Sequence, residues 1–156
     1  ILGKIDNSVN DKFDFYIIGI GNNNIRKHIH TKFENLNWAT LIHPKSIISS
    51  DVIIEKGSVI FAGAIVQTGV AIGKQCILNT GCSVDHECNI DDFCSICPKA
   101  TLCGNVNVGE STFIGANATI IQGINIDEKC VIGAGSVIIK NIEKYNKVVG
   151  NPGRQI

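Results

Sequence analysis

The stretch Ile54-Glu55-Lys56-Gly57-Ser58-Val59-Ile60-Phe61-Ala62-Gly63-Ala64-Ile65-Val66 decides the fold, because it repeats its chemistry every six residues. An aliphatic stands at Ile54, Ile60 and Val66, a glycine follows three places after the first two, and a small residue, Ser58 or Ala64, four places after. Extending the frame in both directions carries the aliphatic from Ile42 to Ile138 through seventeen positions without a miss. The position four places on, from Ser46 to Ile142, is mostly small and never charged. Neither the helical period nor strict strand alternation fits this pattern. A fixed short period marks a solenoid, and hexads mark a parallel β-helix in which three hexads close one triangular coil. The large aliphatic fills the prism, and the small residue lets the corner close without overfilling it.

About half of the hexads place Gly or Asn three residues after the aliphatic: Gly57, Gly63, Gly69, Gly81, Asn105, Asn117, Gly123, Gly135 and Asn141. These residues tolerate positive φ and are expected where the chain turns. Pro44 and Pro98 fall at corners too, where a fixed φ does no harm. From Ile42 to Ile142 the frame predicts about five and a half coils and a prism roughly 27 Å long.

The flanks read differently. Phe13 to Ile20 reads as a buried strand, and Gly21-Asn22-Asn23-Asn24 as a turn with an asparagine N-cap. Ile25, Ile29, Phe33 and Leu36 mark one face of a helix of about three turns, and Trp38 to Ile42 returns as a strand. One such βαβ unit cannot bury both faces of a sheet, so it reads as the tail of a small α/β domain. The chain opens on Ile1 and contains no methionine, which suggests a processed start or an absent N-terminal part. Ile1 to Lys12 carries no assignable pattern. After Ile142 the period stops, Glu143 to Lys147 is polar, and Val148 to Arg154 reads as a short strand and turn. The expected organisation is 1–41, 42–142 and 143–156.

The 156 residues are 44% apolar with a net charge of zero and no basic stripe. That argues against nucleic acid and against a charged membrane surface as partners. No apolar run is long enough to span a bilayer and no signal-peptide pattern opens the chain, so a soluble, cytoplasmic protein is expected. Of seven cysteines, Cys76, Cys82, Cys88, Cys94 and Cys130 occupy the small interior position, and Cys97 and Cys103 follow an aliphatic. Cys94 and Cys97 have C-x-x-C spacing, but no second pair completes a zinc site, and the frame points them in opposite directions. Reduced packing residues and no metal are expected.

A regular β-helix is inert except where a corner shows unusual side chains, and Asp85-His86-Glu87 is such a corner. An imidazole titrates near neutrality and can take a proton from an amine or hydroxyl nucleophile, and a flanking carboxylate can orient it. One coil of eighteen residues further on stands Gly104. A glycine stacked on the histidine leaves a backbone N–H uncovered, a place to hold a developing oxyanion. The alternative is a solvated corner histidine bonded to its neighbours. His28 and His30 fall on the helix, expected to face solvent, and His43 opens the first coil. The solenoid thus offers only His43 and His86, too few for a three-histidine zinc site of the β-helix carbonic anhydrase kind.

The corner Val84-Asp85-His86-Glu87-Cys88-Asn89-Ile90, the later Leu102-Cys103-Gly104-Asn105-Val106, the ending Gly150-Asn151-Pro152-Gly153-Arg154 and the turn Ile20-Gly21-Asn22-Asn23-Asn24-Ile25-Arg26-Lys27 resemble the bacterial sugar acetyltransferases. Among these, the match is to the sialic acid O-acetyltransferase and UDP-amino-sugar N-acetyltransferase (NeuD/PglD-type) group. The resemblance covers nearly the whole chain from about Phe13; hexads are common to many acyltransferases, whereas the His-Glu corner together with the Ile-Gly-Asn-Asn turn is far more specific.

The resemblance implies a left-handed parallel β-helix preceded by the remnant of a Rossmann-like acceptor-binding domain in 1–41. It implies a homotrimer with active sites in the clefts between prisms, and acetyl-CoA as co-substrate with its thioester near the histidine. His86 matches the family's general base, Glu87 the acidic residue that tunes it, and Gly104 the glycine whose N–H faces the thioester oxygen. Ala116 and Ala134 fall where the family lines the pantetheine channel. A second histidine that relatives often carry nine residues after the base, near the thioester, is here Ser95, expected as a cofactor contact that can still donate a hydrogen bond but cannot take the same protonation role. The glycine-rich turn that begins the family's nucleotide-sugar site is missing, leaving Gly21 and Asn22 of its acceptor contacts. The implied reaction is direct acetyl transfer to the amine of a UDP-4-amino-sugar. O-acetylation of a sialic acid or another sugar hydroxyl is the alternative, and a non-catalytic trimeric scaffold the second.

Overall fold

The computed structural model describes residues 13–156; the unassigned Ile1 to Lys12 lies outside the described residues. Each of the seventeen predicted aliphatics is the second residue of a two-residue strand, from Leu41–Ile42 through Val137–Ile138. Parallel pairing repeats every eighteen residues, as in Leu41↔Val59, Ile47↔Ile65 and Ile53↔Ala71. The strands fall into sheets of eight, six and five strands, and the whole is a left-handed parallel β-helix of about six turns. The first sheet begins with Leu41–Ile42, the second with Ile47–Ile48 and the third with Ile53–Ile54.

The two strand positions have opposite fates. The second residue points inward, and from Ile60 to Ile138 these aliphatics are buried. The small residues of the frame join them, with Ala64, Cys76, Cys82, Cys94, Ala100 and Ala118 fully buried. Each such aliphatic contributes about 1.5–3 kcal/mol on leaving water. The cysteines are free, and burial pushes the Cys82 thiol up to about 12. No group of His, Cys, Asp or Glu among the described residues is placed to hold a metal ion.

The corners correct the sequence reading in one respect. Positive φ occurs at every third-place residue from Gly57 to Gly135, including Gln75, Glu87, Phe93, Lys99, Ser111 and Lys129. Coil geometry therefore imposes the left-handed turn even where a side chain makes it costly, by about 1 kcal/mol per residue. Asn141 is the reverse case. It is not left-handed, and its side chain instead accepts a hydrogen bond from Asn125 N at 2.9 Å. Lys99, exposed and at φ 58°, gives a clean test. Lys99→Asn is expected to stabilise the protein by about 0.5–1 kcal/mol, read as a higher urea midpoint; an unchanged midpoint would mean that the coil carries no strain there.

The N-terminal flank differs more from expectation. Among the described residues Phe13 to Ile20 forms no strand; Phe13, Phe15 and Ile17 are exposed, and a parallel bridge joins Tyr16 to Trp38. Helix α1 spans Asn23–Lys32, with Asn22 as its N-cap accepting from Ile25 N at 3.0 Å, and Phe33 as C-cap. Ile18, Phe33 and Trp38 form a small apolar cluster with Ile29 and Leu36, as the pattern implied, but Ile25 is half exposed. The α1 residues fully or nearly buried are Asn23 and Arg26. The helix meets the solenoid over strand and corner carbonyls, which require donors rather than methyl groups. His30 is likewise drawn in from solvent. Its ring lies 5.5 Å from those of Trp38 and Phe93, and burial is the main cause lowering its pKa.

At the other end, Lys147–Val149 continues the first sheet in parallel against Val131–Ile132, and Arg154–Gln155 then pairs with it antiparallel. Gly150 and Gly153 complete the ladder of the second sheet through Val137, with Val137 N donating to Gly150 O and Gly153 N to Val137 O.

Candidate functional site

His86 stands on the corner between the second and third sheets, after Ser83–Val84 and before Asn89–Ile90. Val84 and Cys88, both buried, pin the two ends of that corner and leave His86 and Glu87 outside. The His86 backbone N–H donates to Asp85 Oδ1 at 2.9 Å, and Glu87 N–H to Thr68 O of the coil below at 3.0 Å. Glu87 takes the left-handed conformation, φ 58°, which aims its carboxylate back along the corner. Its Oε2 lies 3.2 Å from His86 Nδ1, with side-chain exposures of 72% and 54%. At such exposure the pair orients the ring more than it stabilises the fold.

Gly104 lies directly over this ring. A Cβ placed on it would fall 2.5 Å from both Cε1 and Nε2 of His86. The two coils are also joined by Asn105 N donating to His86 O at 2.8 Å. Among the described residues Gly104 N–H donates to no group. An imidazole nitrogen and an unpaired backbone N–H are thus on adjacent coils of one corner, a pairing that acyl transfer can use. Cys88 is no competitor as a nucleophile; it is buried, its Sγ donates to Cys103 O at 3.2 Å, and burial raises its pKa.

The remaining candidates lie elsewhere on the chain. Ala116 and Ala134 follow strands of the first sheet and stack on the corner leading into the second, with Gly135 N donating to Ala116 O at 2.8 Å. Ser95 is buried on the first sheet, and its hydroxyl donates to Asn23 Oδ1 at 2.6 Å, sealed under α1. Gly21 and Asn22 line a cleft of about 440 Å³ between the start of α1 and the solenoid, whose far wall includes Phe113, Lys129 and Tyr145. Within one chain, then, His86 and Gly104 come together, whereas Ala116 with Ala134, and Gly21 with Asn22, form two further separate groups.

Sequence reasoning missed Arg26. It is 1% exposed, and its guanidinium bonds to Gln75 O, Phe93 O and Ser95 Oγ of the solenoid. An arginine on the first turn of a helix with no acidic partner nearby in sequence was the available signal. Lys27 pairs with Glu110 beside it. No helix among the described residues is long and apolar enough to cross a membrane.

Comparison with known proteins agrees with this architecture. Residues 51–86 and 96–140 match the hexapeptide repeat of succinyl-transferases. The acetyltransferase domain of PglB from Neisseria gonorrhoeae is 37% identical, with a TM-score of 0.88 over 90% of this chain and 69% of that one. PerB from Caulobacter crescentus, solved in complex with CoA and GDP-perosamine, is 30% identical, with a TM-score of 0.90 over 92% of this chain and 70% of that one. WeeI from Acinetobacter baumannii is 26% identical, with a TM-score of 0.88 over 91% and 70%. No curated protein matches. With the repeat matched over half of its length and two such relatives spanned over more than two thirds of theirs, the chain belongs to the hexapeptide-repeat sugar acetyltransferases.

Proposed function

We propose that the protein moves an acetyl group from acetyl-CoA to the amine of a nucleotide-linked amino sugar, a UDP-4-amino-sugar in the first instance. The observation that carries this reading is the His86 ring held against Gly104, with Glu87 at Nδ1. With Nδ1 engaged, Nε2 is the nitrogen free to take a proton from the attacking amine. The amine nitrogen bonds to the acetyl carbon, Gly104 N–H donates to the oxygen that gains charge, and the carbon–sulfur bond breaks to release CoA thiolate. The proton on His86 then leaves to that thiolate or to water. Backbone amides at the Ala116 and Ala134 corner are suited to the amides of pantetheine, and small side chains there leave room for it. Among the solved relatives, PglB has been captured with acetyl-CoA and PerB with CoA and GDP-perosamine, which supports both substrates.

The same reading includes a homotrimer. The corner of His86 and the corner of Ala116 and Ala134 flank the second sheet. Its outward residues, Ile47, Ile65, Ser83, Thr101, Thr119 and Val137, carry no charge. A second copy over that face would bury apolar surface and bring one chain's His86 toward another's Ala116. The Gly21 and Asn22 cleft, at the positive end of α1 and beside Lys129, suits the phosphates of the acceptor. Free thiols fit a reducing compartment, the cytoplasm.

The test is free-thiol release and product mass with acetyl-CoA and a panel of acceptors: UDP- and GDP-linked 4-amino-sugars, their hydroxyl counterparts, and a free sialic acid. Turnover is expected with the amines alone. Transfer to hydroxyls alone would replace the reading with O-acetylation, and no transfer to any member would remove it.

A further inference from the structure

The contacts of Arg26 reach in two directions. Toward the solenoid, Nε donates to Gln75 O at 2.7 Å, and Nη2 to Phe93 O at 2.9 Å, Cys94 O at 3.3 Å and Ser95 Oγ at 3.3 Å. Toward the N-terminal segment, Nη1 donates to Ile20 O at 3.1 Å and Gly21 O at 3.2 Å, and Nη2 to Asn23 Oδ1 at 2.9 Å. A guanidinium has five N–H donors in one rigid plane, and here they are shared among seven acceptors. No carboxylate pairs with it among the described residues. A charge buried at such desolvation cost without an ion-pair partner is a poor way to gain stability. What the arrangement does supply is geometry, since one planar group fixes the turn before α1 against two successive coils.

We propose that Arg26 is the positioning residue of the acceptor site. This rests on the reading of Gly21 and Asn22 as acceptor contacts. Gly21 has nothing within 4 Å of where a Cβ would sit, so packing does not hold the turn in place. Its carbonyl is held by Arg26, and the next residues by Asn23, whose Nδ2 donates to Ser111 O at 3.0 Å and Thr112 O at 3.1 Å. Ser95 serves the same device, donating to Asn23 Oδ1 while accepting from Arg26. Ser95 therefore acts on the turn from beneath, and Arg26, 1% exposed, acts through the turn it holds.

Arg26→Lys keeps the charge and cannot span both ends. It is expected to raise the acceptor KM about tenfold, as misplacement of a binding element does, with the acetyl-CoA KM within about twofold. Hydrogen exchange should quicken at 20–25 while the strands from Ile60 to Ile138 keep their protection. An unchanged acceptor KM, or an acetyl-CoA KM rising in step with it, would overturn the proposal. Arg26→Met, if it folds, should shift acceptor KM further in the same direction. Should the wild-type protein turn over no acceptor, the transferase reading fails on its own. Exchange would then decide for Arg26: quickening confined to 20–25 keeps it as the anchor of the turn, and none removes it.

Discussion

His86→Ala is expected to lower kcat for acetyl transfer by about a hundredfold or more, the usual contribution of a positioned general base. The ring is half exposed and contributes no core packing, so melting temperature and acetyl-CoA binding should stay near wild type. Its backbone contacts, N–H to Asp85 and carbonyl from Asn105, survive the change. The corner therefore keeps its shape, and the loss is chemical. His86→Ala with undiminished turnover would leave a β-helix that binds its ligands without using this corner, and the scaffold reading would take over. Glu87 acts through the ring, so Glu87→Gln belongs in the same series with a smaller deficit.

Gly104→Ala is expected to cost about 10²–10³-fold in kcat, comparable to loss of an oxyanion donor. Backbone strain is not the cause, because Gly104 is not among the residues with positive φ. The added Cβ would meet the imidazole at 2.5 Å, and a ring on an exposed corner gives way by swinging out. Two mechanisms of loss are then separable. If the methyl acts by displacing the base, the substitution costs little in a His86→Ala background. If it acts by covering the N–H, the two losses multiply. Wild-type turnover by Gly104→Ala alone would show that neither the stacked ring nor the N–H serves the reaction.

The solenoid was legible because its signal is one-dimensional. Each coil needs the same aliphatic in the same place, so Ile42 to Ile138 spells the strands, their register and the inward face. The His86–Gly104 stacking followed from the same arithmetic, since eighteen residues is one coil whatever the side chains. Corners were legible only in part. Glycine and asparagine announce a left-handed turn, but Phe93, Lys99 and Glu87 adopt it because neighbouring coils compel them, a tertiary constraint without local trace. The N-terminal flank resisted for a related reason. Phe13 to Ile20 has the composition of a buried strand, yet among the described residues it forms a bridge from Tyr16 to Trp38 rather than a strand. The helix was found by its apolar stripe, yet it docks through Asn23 and Arg26. Polar docking has no period, so no pattern of hydrophobicity could have revealed it. The groups at Ala116, Ala134, Gly21 and Asn22 needed a family resemblance, since nothing in their spacing marks them.

The antiparallel pairing of Arg154–Gln155 with Lys147–Val149 has a consequence beyond tidying the chain's end. A parallel solenoid is open-ended: its last coil presents the same edge that every earlier coil presented, and another copy could stack there. Reversing direction at that edge abolishes the template, because an incoming first coil would meet a strand of the wrong polarity. The loop at Gly150 and Gly153 likewise occupies Val137 at the end of the second sheet, while the third sheet ends on the parallel bridge of Ile142 to Ile126. Growth by end-to-end addition is thereby blocked on one side, and a filament needs two compatible ends. Contact between copies is then expected on the flanks of the prism rather than by stacking on this edge.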